Sequence, residues 1–286
     1  MTKREVILAE TAGFCFGVNR AVKILNEQIE VSCEKGDRVY TLGPIIHNEE
    51  VVKAMEEKGV ITCDDLNSYK NMQKGRVIIR SHGIGEAVYK ELEEMNFSIV
   101  DATCPFVKKI HNIVSSVDDG TSIVIVGNEN HPEVKGIIGW CSNRPVIVDS
   151  VENAEKKLES LEKNIVLVSQ TTFNSNKFKE LVEFFRKKEY NVIVYNTICN
   201  ATRERQLEAK QLAASVDVMI VIGGKHSSNT QKLYEICKKE CQNTYYIQTL
   251  VDLDLTAIES AKRVGITAGA STPNNIIKEV HDACQN

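Results

Sequence analysis

The sequence predicts an α/β protein made of three similar small α/β domains with mostly parallel sheets. Three observations point there. Short apolar runs alternate with helix-period segments from end to end, which is the pattern of strand–helix units around parallel sheets. At 286 residues the chain exceeds what one core normally organises, so more than one domain is expected. Cys15, Cys104 and Cys199 lie 89 and 95 residues apart, each between an apolar run and a helix-like run, and so mark three nearly equal parts.

In chain order, strands are expected at Val6–Ala9, Val39–Leu42, Val77–Arg80, Phe97–Val100, Ile123–Val126, Ile165–Val168, Val192–Tyr195, Val218–Ile222 and Val264–Thr267. A further short one, Val146–Val148, has no assignable place in a sheet. Helices are expected near residues 17–31, 48–58 and 85–95 of the first part, where apolar residues recur at helical spacing. The domains are drawn as 1–104, 105–195 and 196–286, with residues 1–16 available to pack with the last domain.

Composition narrows the function. Charged residues are 26% and the net charge is −4, so no basic excess favours nucleic acid or a membrane surface, and any anion must be met by local donors. The start, MTKREVILAE, has too short an apolar run for a signal-peptide core, and no stretch approaches the roughly 18 apolar residues of a membrane helix. A cytoplasmic protein is expected. Nine cysteines without close pairing, in a compartment that keeps thiols reduced, favour metal binding or catalysis over a disulfide framework.

The strand-to-helix loops are where open α/β sheets collect ligands, because helix N-termini offer backbone N–H groups and a positive dipole end. The first part supplies Cys15, then His47 in LGPIIHNEE and His82 in RSHGIGE. The second supplies Cys104, His131 and Glu133 in VGNENHPEVKG, and Gln170 and Thr171 in SQTTF. The third supplies Cys199, then Ser227, Ser228 and Asn229 in GGKHSSNT, and Ser271 and Thr272 in GASTPNN. Each part thus offers one thiol and two polar loops.

A single cysteine would be read as a buried structural thiol. Three at equivalent junctions read as ligands, because a helix N-terminus favours the thiolate a metal needs. No tight CxxC or HxxxH pair suggests zinc. Three thiolates dispersed over three parts suit a bulky [4Fe-4S] cluster, one per chain, with one iron left open. Cys33, Cys63, Cys141, Cys237, Cys241 and Cys284 are expected to be structural. The three histidines with the Ser-Ser-Asn run and Ser271 form a donor-rich set suited to phosphate oxygens, although Ser and Asn are also common helix caps. GGKHSSN lacks the GxxxxGK[ST] spacing, and no GxGxxG is present, so neither a Walker-type nucleotide site nor a dinucleotide is supported. Glu133, beside His131, reads either as a first-turn glutamate on a helix dipole or as a proton donor.

GFCFGVNRAV, LGPIIHN, RSHGI, DATCPFV, GNENHPEVKG, SQTT, NTICNATRERQ, GGKHSSNT and GASTP, in order from residue 13 to 273, together resemble the 4-hydroxy-3-methylbut-2-enyl diphosphate reductases of the methylerythritol phosphate route to isoprenoids. His226, where Asn is commoner, and Ile137-Ile138 are less typical and touch none of the residues named for the site. The resemblance implies three α/β domains around a central [4Fe-4S] cluster ligated by Cys15, Cys104 and Cys199, with the substrate's alcohol oxygen at the open iron. It implies that His47, His82, Ser227, Asn229 and Ser271 hold the diphosphate, with Ser228 and His131 adjacent. It also implies that Glu133 with Thr171 delivers the proton that lets hydroxide leave as water. The expected partners are an allylic diphosphate and reduced ferredoxin or flavodoxin, with no nucleic acid and no membrane, and a monomer is expected. Because the chain ends soon after the Ser271 loop, the RNA-binding extension of some clostridial relatives is not expected. Two other classes use related features. A hydro-lyase of the aconitase kind would turn over without reductant, and an electron-transfer or sensing protein would need neither the donor-rich loops nor Glu133.

Overall fold

The computed structural model describes residues 4–285; residues 1–3 and Asn286, at the outer ends of the first and last predicted domains, lie outside the described residues. The described residues gather into two compact units. One comprises those within Met1–Asn19, His47–Lys53 and Asn200–Asn286, the other Arg20–Ile46 and Ala54–Cys199.

The first unit holds one parallel sheet. Its strands are β1 (Glu5–Leu8), β10 (Val218–Ile222), β11 (Thr244–Ile247) and β12 (Arg263–Ala268), in the order β1-β12-β10-β11. Val6 pairs with Val264, Ile220 with Ile266 and Val221 with Tyr246. β10 is buried along its whole length, because Ile220 and Ile222 join a core with Ile266, Ile276 and Val280, while Met219 and Val221 join another with Leu233 and Cys237. A central strand covered on both faces needs an unbroken apolar run, and VMIVI supplies one. Helices α8 (Asn200–Ala213), α9 (Ser228–Glu240) and α10 (Asn274–Gln285) complete this unit.

The second unit holds two further parallel sheets. β2 (Arg38–Leu42), β3 (Ile61–Cys63), β4 (Gly75–Ile79) and β5 (Ser98–Asp101) run in the order β3-β2-β4-β5. β6 (Thr121–Val126), β7 (Val146–Val148), β8 (Asn164–Ser169) and β9 (Asn191–Val194) run in the order β7-β6-β8-β9. Tyr40, Tyr69 and Phe97 meet edge to face at 5.3 to 5.9 Å under the first of these sheets, an arrangement the ring quadrupoles favour. Of the helices α2 (Glu49–Glu56), α3 (Glu86–Glu94), α4 (Pro105–Ser115), α5 (Pro132–Ile138), α6 (Val151–Glu155) and α7 (Ser175–Lys187), α4 and α5 carry residues of the candidate site.

The α/β class with parallel sheets is as the sequence predicts, and every expected strand is present. Val146–Val148 is an edge strand on β6. β3 and β11 go beyond the strands expected from the sequence. Both are short edge strands, Ile-Thr-Cys and Thr-Tyr-Tyr-Ile, too mixed in polarity to read as apolar runs. Helix α1 (Phe16–Lys35) extends beyond the expected residue 31 and stops at Gly36, whose φ of +71° suits the left-handed end of a helix.

Candidate active site

In the second unit the polar loops converge on Glu133. The sequence Asn-His-Pro-Glu starts α5 with His131 as its N-cap and Pro132 in the first turn, where a missing N–H costs nothing. The His131 Nδ1 accepts the Glu133 N–H at 3.1 Å, so the neutral ring carries its proton on Nε2. Glu133 is 2% exposed. One carboxylate oxygen accepts the Thr171 N–H at 2.6 Å and the other the Thr171 hydroxyl at 2.8 Å. Burial pushes the Glu133 carboxyl up to about 7, against the pull of these two bonds, which favour the charged form. A carboxyl that holds its proton near neutral pH is the kind a general acid requires.

Two of the predicted ligand thiols, Cys104 and Cys199, are tied to the same loops. The Thr171 carbonyl accepts the Cys199 N–H at 3.0 Å. Cys199 therefore hangs from the residue that holds Glu133. Cys104 caps α4, with its N–H on the Ser81 carbonyl at 2.9 Å, and Ser81 precedes His82. The adjoining Thr103 is fixed by Asp101, which accepts its N–H at 2.8 Å and pairs with Lys108 at 2.6 Å. Burial opposes ionisation of Asp101, but Lys108 and Thr103 outweigh it and hold the carboxyl below its ordinary value. The His82 and His131 rings meet edge to face, centroids 5.4 Å apart.

His111, which no local sequence signal marks, supports this turn. It is buried on α4 and stacked on Trp140 at 5.5 Å. Desolvation pushes it down to about 4, so it is neutral. Gly83, with φ +73°, leaves it room: a Cβ there would lie 2.8 Å from the His111 Cε1.

The first unit gathers the other predicted residues beyond the carboxyl ends of β1, β10 and β12. The Cys15 N–H donates to the Ala270 carbonyl at 3.2 Å, and the neighbouring Ser271 hydroxyl donates to the His47 carbonyl at 3.0 Å. Gly224 packs against that same carbonyl, where a Cβ would approach to 2.8 Å. Ser227 is the N-cap of α9, accepting the Thr230 N–H at 3.3 Å, so the common capping role is real here. Ser228 opens the helix. Asn229 is 3% exposed, yet neither its amide nitrogen nor its oxygen has a hydrogen-bond partner among the described residues. Such a group costs about 1–3 kcal/mol, and a bound ligand would recover it. His226 is exposed, its Nε2 3.9 Å from Glu49.

A family model described as LytB protein matches residues 6–285. The chain belongs to the LytB family. Among its curated relatives, a 4-hydroxy-3-methylbut-2-enyl diphosphate reductase of Caldanaerobacter subterraneus subsp. tengcongensis is 50% identical over 277 residues, covering 96% of this LytB chain and 95% of that protein. One of the same name from Alkaliphilus oremlandii is 46% identical, covering 99% of each. A solved structure of (E)-4-hydroxy-3-methyl-but-2-enyl diphosphate reductase, described as the terminal enzyme of the non-mevalonate pathway, is 42% identical and aligns over 99% of each chain with a TM-score of 0.71. The E-1-hydroxy-2-methyl-but-2-enyl-4-diphosphate reductase of Plasmodium falciparum is 27% identical and covers 99% of this chain and 89% of its own, with a TM-score of 0.92.

The donor set fits a thiolate-ligated cluster. All nine cysteines are thiols rather than disulfides. Cys15, Cys104 and Cys199 are half-buried at strand-to-helix junctions. Cys63, Cys237, Cys241 and Cys284 are buried, and burial pushes the Cys237 thiol up to about 12, unsuited to a thiolate ligand. Cys141 is likewise pushed up to about 12 and donates to the Ile137 carbonyl. Cys33 departs from the expected structural role, being exposed on α1. No helix among the described residues is long and apolar enough to cross a membrane.

Proposed function

We propose that this chain reduces 4-hydroxy-3-methylbut-2-enyl diphosphate to isopentenyl and dimethylallyl diphosphates in a two-electron reaction in the cytoplasm, with Cys15, Cys104 and Cys199 each giving one thiolate to a [4Fe-4S] cluster. The observation that carries the chemistry is the buried Glu133, held by both donors of Thr171 and charged only above about pH 7. When bound, the cluster would supply Lewis acidity and would relay electrons from reduced ferredoxin or flavodoxin. Glu133 holds the proton that the departing hydroxyl needs, and Thr171 aims it, while the second proton of this two-electron, two-proton reduction forms the product's new C–H bond. His131, with its Nε2 proton, and His82 donate to the substrate, while His47, Ser227, Ser228, Asn229 and Ser271 accommodate the diphosphate oxygens. Asn229 gains there the partners it lacks among the described residues. The three parts 1–104, 105–195 and 196–286 are proposed as domains, and the active species as a monomer.

The test is iron and sulfide analysis of anaerobically purified protein, Mössbauer spectra with and without this allylic diphosphate, and turnover with and without reductant. The reading requires about four irons per chain, a spectrum in which one iron site responds to the diphosphate, and no turnover without reductant. Turnover without reductant would instead make the protein a hydro-lyase. A spectrum indifferent to the diphosphate would remove the substrate assignment.

A further inference from the structure

We infer that Arg205 and Glu208 are positioning residues for the Cys15 thiol, forming a side-chain clamp on α8 that fixes the loop leading into that cysteine. The inference rests on the reading of Cys15 as a cluster ligand.

The residues between β1 and α1 form neither helix nor strand. A segment of that kind must find partners for its backbone groups elsewhere. The structure finds them on one face of α8. Arg205, 4% exposed, donates from Nε to the Thr11 carbonyl at 2.8 Å and from Nη2 to the Gly13 carbonyl at 2.7 Å, with a further contact from Nη2 to the Thr11 carbonyl. Three residues on, and so on the same helix face, Glu208 accepts the Glu10 N–H at 2.6 Å and the Thr11 N–H at 3.0 Å, with a further bond from the Thr11 hydroxyl. One side chain satisfies acceptors and the other donors.

The loop has little room to move within this grip. Gly13 has φ +100°, and a Cβ there would sit 2.8 Å from the Asn274 Oδ1. Beyond it, the Cys15 N–H is bound to Ala270, and the Cys15 carbonyl accepts the Asn19 N–H at 2.9 Å. The Cys15 backbone is thus set by the clamp on one side and by the Ser271 loop on the other. The helix that closes the clamp begins at the residue after Cys199 in the chain. Any displacement of α8 is passed to the loop of the first thiol. Arginine's planar fork holds two carbonyls in fixed geometry, whereas the lysine ammonium is a compact point charge on a flexible stem.

Hydrogen–deuterium exchange of the metal-free chain reads the clamp without any cluster. The Glu10 and Thr11 amides are expected to be protected, and to exchange roughly 10-fold or more faster in Arg205→Met and Glu208→Gln, with β10 amides unchanged. The second readout is the rate at which a ferrous chelator strips iron from the anaerobically reconstituted protein. Arg205→Met is expected to speed it about 10-fold, and Arg205→Lys, which keeps the charge and one carbonyl contact, to fall between it and wild type. Because Arg205→Met removes a buried side chain, Arg205→Lys keeps the test open if that variant misfolds. Unprotected amides in wild type, or exchange and chelation rates unchanged in all variants, would overturn the clamp. If instead Cys15→Ser kept its iron as wild type does while the exchange results held, the ligand reading would fall and the clamp would be a feature of folding alone.

Discussion

Replacing Glu133 by Gln should make the protein more stable at alkaline pH and nearly inactive at every pH. In the folded chain burial raises the carboxyl from an ordinary 4.5 to about 7. The folded state therefore binds this proton more tightly than the unfolded state between those values, and stability falls as pH rises through the window. The whole contribution, about 3 kcal/mol at 1.36 kcal/mol per unit, is present below pH 4.5 and lost above pH 7. Gln cannot ionise. Its carbonyl can accept the Thr171 N–H, and its amide can donate to a reversed Thr171 hydroxyl, so both contacts survive at a cost of about 1 kcal/mol. Urea unfolding of the metal-free, reduced chain should then find Glu133→Gln about 2 kcal/mol more stable than wild type at pH 8, and about 1 kcal/mol less stable at pH 4.5. Turnover should fall roughly 100-fold or more, as for loss of a positioned general acid. The wild-type rate should decline as pH rises through about 7, where the donor loses its proton, and the variant should lack that limb. A stability difference independent of pH would show that the carboxyl titrates normally. A near wild-type kcat would show that the proton comes from elsewhere.

Three other outcomes follow from the same geometry. Asn229→Ala removes a buried amide without partners among the described residues, so the ligand-free chain should gain about 1–3 kcal/mol of stability while calorimetry finds inorganic pyrophosphate bound at least about 10-fold more weakly; equal affinity would remove Asn229 from the cradle. Gly83→Ala places a Cβ 2.8 Å from the His111 Cε1 and 3.0 Å from the Thr103 Cγ2 at φ +73°, so it should cost about 1–3 kcal/mol, read as a lower Tm; an unchanged Tm would mean the turn relaxes freely. Cys15→Ser, Cys104→Ser and Cys199→Ser should each lose most of the iron after anaerobic reconstitution, whereas serine at the other six cysteines should keep it; iron retained by Cys199→Ser and lost by Cys237→Ser would reverse the ligand assignment.

The parallel sheets were legible because their strands are buried on both faces, and VMIVI or IVIV needs no polar neighbour to be recognised. The two edge strands that escaped notice are half wet, and their short mixed runs carry no such signal. The candidate residues were legible for a related reason: thiols, histidines and a Ser-Ser-Asn run stand out at strand-to-helix junctions, where an ordinary loop needs only turn formers. What stayed hidden is what depends on contacts far apart in the chain. Glu133 looks like any first-turn glutamate until Thr171, 38 residues away, encloses it. Arg205 and Glu208 look like the solvated charges of NATRERQLE until their partners are found 194 and 197 residues earlier. His111 reads as one more helical position, yet its burial beneath Gly83 decides how the turn carrying His82 can close. Local pattern therefore locates the candidate groups, whereas the protonation of Glu133 and the posture of Cys15 are set by tertiary contacts, and these are the properties on which the proposed reaction depends.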